Sequence, residues 1–491
     1  MVLAIDSFEE TFRSKLQSYL YFPQYAGPSG FLHGQSECPP ALASFLADGA
    51  GYEAGDALHL LIRETSRNAH ADQGRRERRS HDYWQLKGLQ GLLRAHGVKL
   101  SVGGCSWKAK PAYVNKFVLS ADGRHMQKIQ IPTGYSGKIE VHKTDGKAHY
   151  HGLHRCGNVN ICPVCNRRIS AKRGDECRKI ARYMLEHEFK FLFVTFTASH
   201  NERMGFKEIR EKFTAAFTDF CKHNLYKKFR NDIGLEYHIL SNEVTDDNPY
   251  TRYKTGWHFH KHLVMFFKRD ESFTQNELDS IYEKLLKIWK QCLNRYNLTC
   301  NEHGIYIPGI EDRAKFFSKD DNDIDKIVNY ISKGISYELT GARNKNHNAA
   351  RRRISVWELQ DLAIKSKNKS IEERYLDYVV HVKGLPSVHF SRGLRDLCGI
   401  AVKNNHELVQ DAEGQEVIYS FEDPKEWRAV VRQAGQGKLL SYVEDGGRIE
   451  AAIDAALAGY DIETGEWLGV AGAVPSPERR RRRREEEAAV C

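Results

Sequence analysis

"KTGWHFHKHLVMFF", residues Lys254 to Phe267, places three histidines at every second position and runs them straight into an apolar segment. Successive side chains of an extended strand point to opposite faces, so His258, His260 and His262 share one face while Phe259, Lys261 and Leu263 share the other. One face of this strand is a row of imidazoles. A single histidine on an apolar face is usually a satisfied core residue. Three in register would repel one another if protonated, and they are what a divalent cation takes as ligands. Glu243, in the upstream "SNEVT", supplies an oxygen ligand if the two strands pair across the connection from Asp246 to Gly256. Two imidazoles and a carboxylate leave coordination positions open for a phosphate oxygen.

The surrounding sequence reads as a sheet with helices. "FKFLFVTFT", Phe189 to Thr197, is apolar and β-prone for nearly its whole length and predicts a buried strand. A helical stretch from Phe206 to Phe229 follows, then a strand in "LEYHILSNEVT", then the histidine strand. A further helix opens at Thr274 with Glu277 three residues on, the capping-box spacing. Strand, helix, two adjacent strands and helix predict an α+β fold with helices packed on one face of the sheet. "YWQLKGLQGLLRAHGV" carries Leu86, Leu89, Leu92 and Leu93 at helical spacing.

A second set of ligand types stands upstream in "HRCGNVNICPVCNRR". Cys162 and Cys165 form a CPxC knuckle with Cys156 just before it, and thiolates with one imidazole make a closed tetrahedral zinc site. His154 is the expected fourth ligand, with His151 and Cys177 as alternatives. Cys177 also fits the apolar face of a helix with Ile169, Ile180 and Met184, where it would be core.

Composition narrows the class. The 491 residues are 41% hydrophobic and 11% aromatic, enough for two or three packed domains. No apolar run reaches the roughly 18 residues of a membrane span, and the first residues lack a basic start before an apolar stretch. A soluble, unexported protein is expected. Eleven cysteines are too sparse for a disulfide scaffold and suit a metal in a reducing compartment. The net charge of +10 favours a polyanionic partner. No GxxxxGK[ST] loop and no internal repeat is present, so a nucleotide-driven motor is not expected within the chain.

"DNDIDKIVNYISKGISYELT" places Ile324, Ile327, Val328, Ile331, Ile335 and Leu339 on one helical stripe, with Tyr330 and Lys333 displaced from it and one turn apart. Lys333 can therefore reach a phosphate that Tyr330 touches. Arg351, Arg352 and Arg353, and Arg392 and Arg395 in "RGLRDLCG", are candidate phosphate contacts along a single strand.

Taken together, "FVTFT", the His-x-His strand and a helical Tyr-x-x-Lys resemble the HUH endonucleases, and the details resemble plasmid rolling-circle replication initiators. "RCGNVNICPVC" is similar to their cysteine knuckle, "NEVT" with "GWHFHKHLVMFF" to their metal strand, and "VNYISKGISYELTG" to their nucleophile helix. "SVWELQDLA" and "VHFSRGLRDLCGI" are similar to the segments that follow, so the resemblance runs from about His151 to Ile400. It implies a central antiparallel sheet flanked by helices, a zinc-knuckle element, and mainly helical additions at both ends. It also implies Tyr330 as nucleophile, Lys333 as its helper, and Mg²⁺ or Mn²⁺ on His260, His262 and Glu243, with His258 as a possible further ligand. The implied substrate is single-stranded or hairpin origin DNA, nicked with a 5′-phosphotyrosine bond and a free 3′-OH. Host helicase and DNA polymerase would be borrowed, and the setting would be the bacterial cytoplasm.

Two positions depart from the pattern. Lys261 stands where a bulky apolar residue is usual, so that side of the strand is wetter or Lys261 contacts DNA; Lys326 stands where many initiators carry a carboxylate for a terminating cleavage. The expected division is residues 1–130 of no recognised chemistry, 131–187 with the zinc element and its helix, and 188–400 as the nicking domain. A helical region, 401–475, and an Arg/Glu-rich tail, 476–491, complete it. An HUH transposase or mobilisation relaxase would keep the same chemistry. A non-catalytic zinc-containing DNA-binding regulator would keep only the knuckle and the charge.

Overall fold

The computed structural model describes residues 54–119, 126–135, 138–252, 255–308, 327–328, 352–410 and 416–468. The chain falls into two units, Met1–His70 and Ala71–Cys491, and the sheets, cores and sites below belong to the second. Helix α1 (Ala54–Ala95) is followed by strands β1 (Pro111–Leu119), β2 (Met126–Tyr135), β3 (Ile139–Thr144) and β4 (Lys147–His151). Next come α2 (Pro163–Glu186), β5 (Phe189–Thr197), α3 (Phe206–Lys222), α4 (Asn224–Asp232), β6 (Leu235–Asp247) and β7 (His258–Lys268). Then follow α5 (Gln275–Asn294), β8 (Ile305–Tyr306), β9 (Arg353–Ser355), α6 (Val356–Lys365), α7 (Lys369–His381) and β10 (Val388–Phe390). The chain continues through α8 (Leu394–Leu397), α9 (Asn405–Leu408), β11 (Glu416–Phe421), α10 (Pro424–Arg432), α11 (Gln436–Glu444) and α12 (Ile449–Leu457). The architecture is α+β. No helix among the described residues is long and apolar enough to cross a membrane.

The central sheet is antiparallel, in the order β10-β6-β7-β5-β8, with β9 pairing the far end of β6. Its two faces follow from residue parity. Leu192, Val194, Phe196, Leu263, Met265 and Phe267 line one face and pack in the main core with α3 and α5, where Phe196 meets Phe217, Phe220 and Trp289 edge-on. Phe189, Phe193, Ile239, Val264 and Phe266 line the other, against Cys177, Ile180, Ala181 and Met184 of α2. Helices therefore cover both faces, not one. The stripe of α2 supplies the second layer, because a strand apolar on both sides exposes a face that must also be buried.

Local chemistry sets the element ends. α5 starts in the expected capping box: Thr274 accepts the Glu277 amide, and Glu277 accepts the Thr274 amide at 2.8 Å. The stretch expected as one helix, Phe206 to Phe229, is two. His223 adopts extended backbone between them and its ring accepts the Leu225 amide. Glu188, with φ of 63°, turns the chain from α2 into β5.

The register of β6 against β7 places the histidine row. Asp247 accepts the Gly256 amide at 2.6 Å and the Thr255 hydroxyl at 2.7 Å. Burial works to raise the Asp247 carboxyl, but these hydrogen bonds overcome it and hold the group below its ordinary value. Gly256 has φ of +83°, and a Cβ there would lie 2.5 Å from the Asn201 carbonyl oxygen, so this position takes glycine on both counts. Arg374 of α7 then holds Asp246 through two hydrogen bonds of 2.7 and 2.8 Å while lying over the Trp257 ring. The entry to β7 is clamped from both strands.

Residues of α1, the β11-β3-β4 sheet and the C-terminal helices share the main core. Tyr150 donates to the Gln436 carbonyl, and Trp427 donates to the Trp107 carbonyl. Glu444 of α11 receives Arg79 at 2.8 Å, Arg75 at 3.1 Å and the Ala148 amide at 2.9 Å. Burial would raise the Glu444 carboxyl, yet the hydrogen bonds from Arg79 and Arg75 hold it down to about 2. A carboxyl depressed in the folded state stabilises fully above its unfolded pKa and loses that contribution as pH falls through the folded one. The melting temperature is therefore expected to fall between about pH 4.5 and pH 2, and less so in Glu444→Gln. Parallel thermal melts of the two proteins check this. Identical pH profiles would remove the arginine-held carboxylate as an acid-sensitive contact.

Candidate metal and nucleic-acid sites

Among the described residues, one group of ligand-type side chains lies on the central sheet and another at the start of α2. On the sheet, Glu243 faces His260 in register, Thr245 faces His258, and Ser241 and Thr195 face His262. Paired residues of an antiparallel ladder share a face, so all of them stand with the histidine row. The Glu243 carboxylate lies 2.8 Å from His262 Nε2 and 3.7 Å from His260 Nδ1. His262 is buried, and its Nδ1 is 3.0 Å from the Thr195 hydroxyl.

Thr197 donates its hydroxyl to the Phe259 carbonyl and so accepts from His258 Nε2 at 2.7 Å. That leaves the lone pair of His258 on Nδ1, which is buried and has no hydrogen-bond partner. Burial, with the neighbouring His260 and the Arg353 charge, pushes His258 far below the ordinary histidine range. Burial also pushes His260 down to about 4, against the pull of Glu243. Burial thus favours the uncharged form of His258 and His260, the state in which imidazole binds a cation.

The row opens at a notch in the sheet edge. β10 covers Ile239 to Ser241 and β9 covers Thr245 to Asp247, and among the described residues no strand pairs β6 at Glu243 and Val244 on that edge. A cavity of about 360 Å³ occupies this gap, lined by Glu243, His258, His260, Arg352, Arg353 and Trp357 among others. Arg353 is tied to Thr255 Oγ1 at 2.8 Å and to His200 Nε2 at 3.1 Å. Arg352 and Arg392 are exposed. Arg395 lies over the Phe390 ring and 4.0 Å from Glu176, which gives it a packing role besides its charge. Arg351, Tyr330 and Lys333 lie outside the described residues. Ile327 and Val328 are described: both are helical, buried, and packed in the cluster on the histidine-bearing face of the sheet.

Lys261 corrects an expectation. It points away from the histidine row into the main core, 6% exposed, with its ammonium 2.5 Å from Asn242 Oδ1 and over the Phe217 ring. Burial pushes it down to about 8. It has no path to DNA, because α3 covers that face. Lys261→Met is expected to leave the affinity for single-stranded DNA unchanged within about twofold, and to leave the salt dependence of binding unchanged. A phosphate-contacting lysine would instead lower the salt slope by about one. Binding titrations across a salt series distinguish the two.

The second group is Cys105, Cys156, Cys162 and Cys165, all buried, with their sulfurs mutually within 4.8 Å. Cys105 Sγ lies 3.6 Å from both Cys162 and Cys165, and Cys156 lies 3.7 Å from Cys165. Four thiolates at about 2.3 Å around a tetrahedral zinc would stand roughly 3.8 Å apart, so the set is already spaced for such an ion. Thiols donating from Cys156, Cys162 and Cys165 hold Cys105 well below the ordinary cysteine value. Cys162 and Cys165 also sit at the N-terminus of α2, and burial with the neighbouring cysteines pushes the Cys162 thiol well above the ordinary cysteine value.

The expected fourth ligand, His154, is replaced by Cys105. The Ser106 amide donates to the His154 carbonyl at 2.8 Å, and the His154 amide to the Lys108 carbonyl at 2.8 Å, a pairing that carries Cys105 alongside Cys156. His151 stacks on His142, and Cys177 is core, its thiol pushed up to about 12 by burial. The Cys105 signal was one more cysteine, far from the knuckle and without local spacing.

With this geometry in place, part of the chain can be compared with a known family. Residues 147–369 match the family model described as "Replication protein". The replication-protein stretch spans Cys156, Cys162, Cys165, Glu243 and the histidine row, and leaves Cys105 outside it. It supports a replication initiator and makes DNA the expected partner. No curated protein and no solved structure matches the chain.

Proposed function

We propose that the chain is a plasmid rolling-circle replication initiator of the HUH type, a metal-dependent nickase that cuts and rejoins single-stranded origin DNA. The observation that carries this reading is the row of His258, His260 and His262 beside Glu243 on one sheet face, with Ile327 and Val328 packed against that same face. Tyr330 follows Val328 by two residues.

The donor set fits a hard-to-borderline dication. His260 and His262 offer imidazole nitrogens, Glu243 an oxygen between them, and the buried Nδ1 of His260 has no hydrogen-bond partner. Mg²⁺ or Mn²⁺ held there would polarise a phosphoryl oxygen. Tyr330 supplies the nucleophile: its oxygen attacks phosphorus, the phosphorus bond to O3′ breaks, and the proton lost from the phenol ends on the departing 3′-OH. The 5′-phosphate stays on the tyrosine and conserves the bond energy for rejoining. Lys333 offsets phosphate charge, and host helicase and polymerase use the free 3′-OH. Arg352 and Arg392 are exposed to contact the DNA backbone.

The test is covalent capture. Full-length protein with Mn²⁺ and labelled single strands from its own replicon should give a DNA adduct that survives a denaturing gel. No adduct on any strand of the replicon, with DNA binding intact, would leave a non-catalytic binder. Strands taken from an inverted-repeat origin or from transposon ends then separate an initiator from a transposase or relaxase.

A further inference from the structure

The cavity at the notch of the central sheet carries groups that the metal chemistry does not use. Its lining includes the apolar Val159, Val356, Trp357 and Leu385, together with Ser387 just before β10. Thr245, opposite His258 in register, also lines it and holds a buried hydroxyl with no hydrogen-bond partner. The main chain of β6 adds a donor. The Asn242 amide donates to the Ser387 carbonyl at 3.1 Å, so it points away from β7. Amides two residues apart on a strand point to the same side, and Val244 therefore turns its amide toward the same edge. Among the described residues no strand pairs β6 there, so this donor needs a partner that the ladder does not supply.

Size and charge sort the possible occupants. A volume of about 360 Å³ falls in the range of small-ligand sites. Glu243 and Glu358 line the cavity beside Arg352 and Arg353, so the two signs balance and the lining does not select a phosphate. Arg353 is moreover already held by Thr255 and His200. A nucleobase has the matching character: apolar faces, and a polar edge that accepts and donates hydrogen bonds.

We propose that this cavity takes one unstacked nucleobase of the nicked strand, next to the phosphate at the histidine row, with the Val244 amide and the Thr245 hydroxyl bonded to its edge. The inference rests on the nickase reading above, since Glu243, His258 and His260 line the same cavity and bring the phosphate beside it. A base held there fixes the register of the strand against the metal, and so selects which phosphodiester is cut.

Abasic scanning of the replicon strand that forms the covalent adduct with Mn²⁺ tests this. Removing the base of one nucleotide flanking the linkage to tyrosine should lower the affinity of the full-length protein at least about fivefold. Ser387→Phe, which fills the cavity, should bind the intact strand as weakly as wild type binds that abasic strand, and should lose nothing more on the abasic one. Its salt dependence should match wild type, because no phosphate contact is removed. Thr245→Val exchanges a hydroxyl for a methyl and serves if Ser387→Phe does not fold. It should weaken the preference among the four bases at that position alone. Equal affinity for every abasic strand, an unchanged base preference in Thr245→Val, or a salt slope lowered by about one in Ser387→Phe would overturn the base site and leave the nickase standing. No adduct on any strand would remove the nickase reading and the site with it.

Discussion

Tyr330→Phe is expected to abolish covalent capture of single-stranded DNA, by at least about a thousandfold, while affinity for the same strand stays within about threefold of wild type. The asymmetry follows from what the substitution removes. A phenylalanine keeps the ring and its packing but has no oxygen to form the phosphodiester to protein, so no slower route to the same adduct exists. Lys333→Ala should be milder, a loss of about ten- to a hundredfold, because it removes a charge near the phosphate and leaves the nucleophile in place. His260→Ala/His262→Ala should match Tyr330→Phe in adduct yield. The two differ in metal binding, which a direct Mn²⁺ titration reads: the histidine variant should lose the bound Mn²⁺. Tyr330→Phe should bind Mn²⁺ as wild type does. A Tyr330→Phe protein that still forms the adduct would move the nucleophile elsewhere.

The parts of the fold that were legible in the sequence are those with a short period. The histidine strand declared its two faces through alternation alone, and β5 through its unbroken apolar run. The Thr274–Glu277 box marked the start of α5 to the residue. Cys177 was readable as core from its helical stripe. What stayed hidden depends on contacts between distant segments. Alternation puts Lys261 opposite the histidines, but only the packing of Phe217 over it shows that the opposite face is sealed. Cys105 joins the knuckle through main-chain pairing of Ser106 and Lys108 with His154, for which no side-chain pattern exists. Of the hairpin histidines the sequence offers only His151, as an alternative ligand of the knuckle; that His142 stands opposite His149 needs the β3–β4 register.

Removal of the metal from the cysteine group is expected to cost the most stability of any single change, and Cys105 decides whether the group is the one described. A structural zinc site contributes apparent binding free energy of about 10–16 kcal/mol, comparable with or above the about 5–15 kcal/mol net stability of a domain. The four thiols also sit inside the main core, among Leu153, Val159, Ile161 and Ile169, so an empty site keeps four buried sulfurs joined only by weak thiol hydrogen bonds. A strong chelator under mild denaturant should therefore unfold the region cooperatively, with release of zinc. Cys105→Ser and Cys162→Ser should each lose bound zinc and lower the melting temperature by more than about 10 °C, since three thiolates and a hydroxyl make a far weaker set. His154→Ala should keep its zinc and melt within about 3 °C of wild type, because its main chain and not its ring carries Cys105 into place. The reverse pattern, zinc retained in Cys105→Ser and lost in His154→Ala, would restore the three-cysteine, one-histidine site that the knuckle alone suggests.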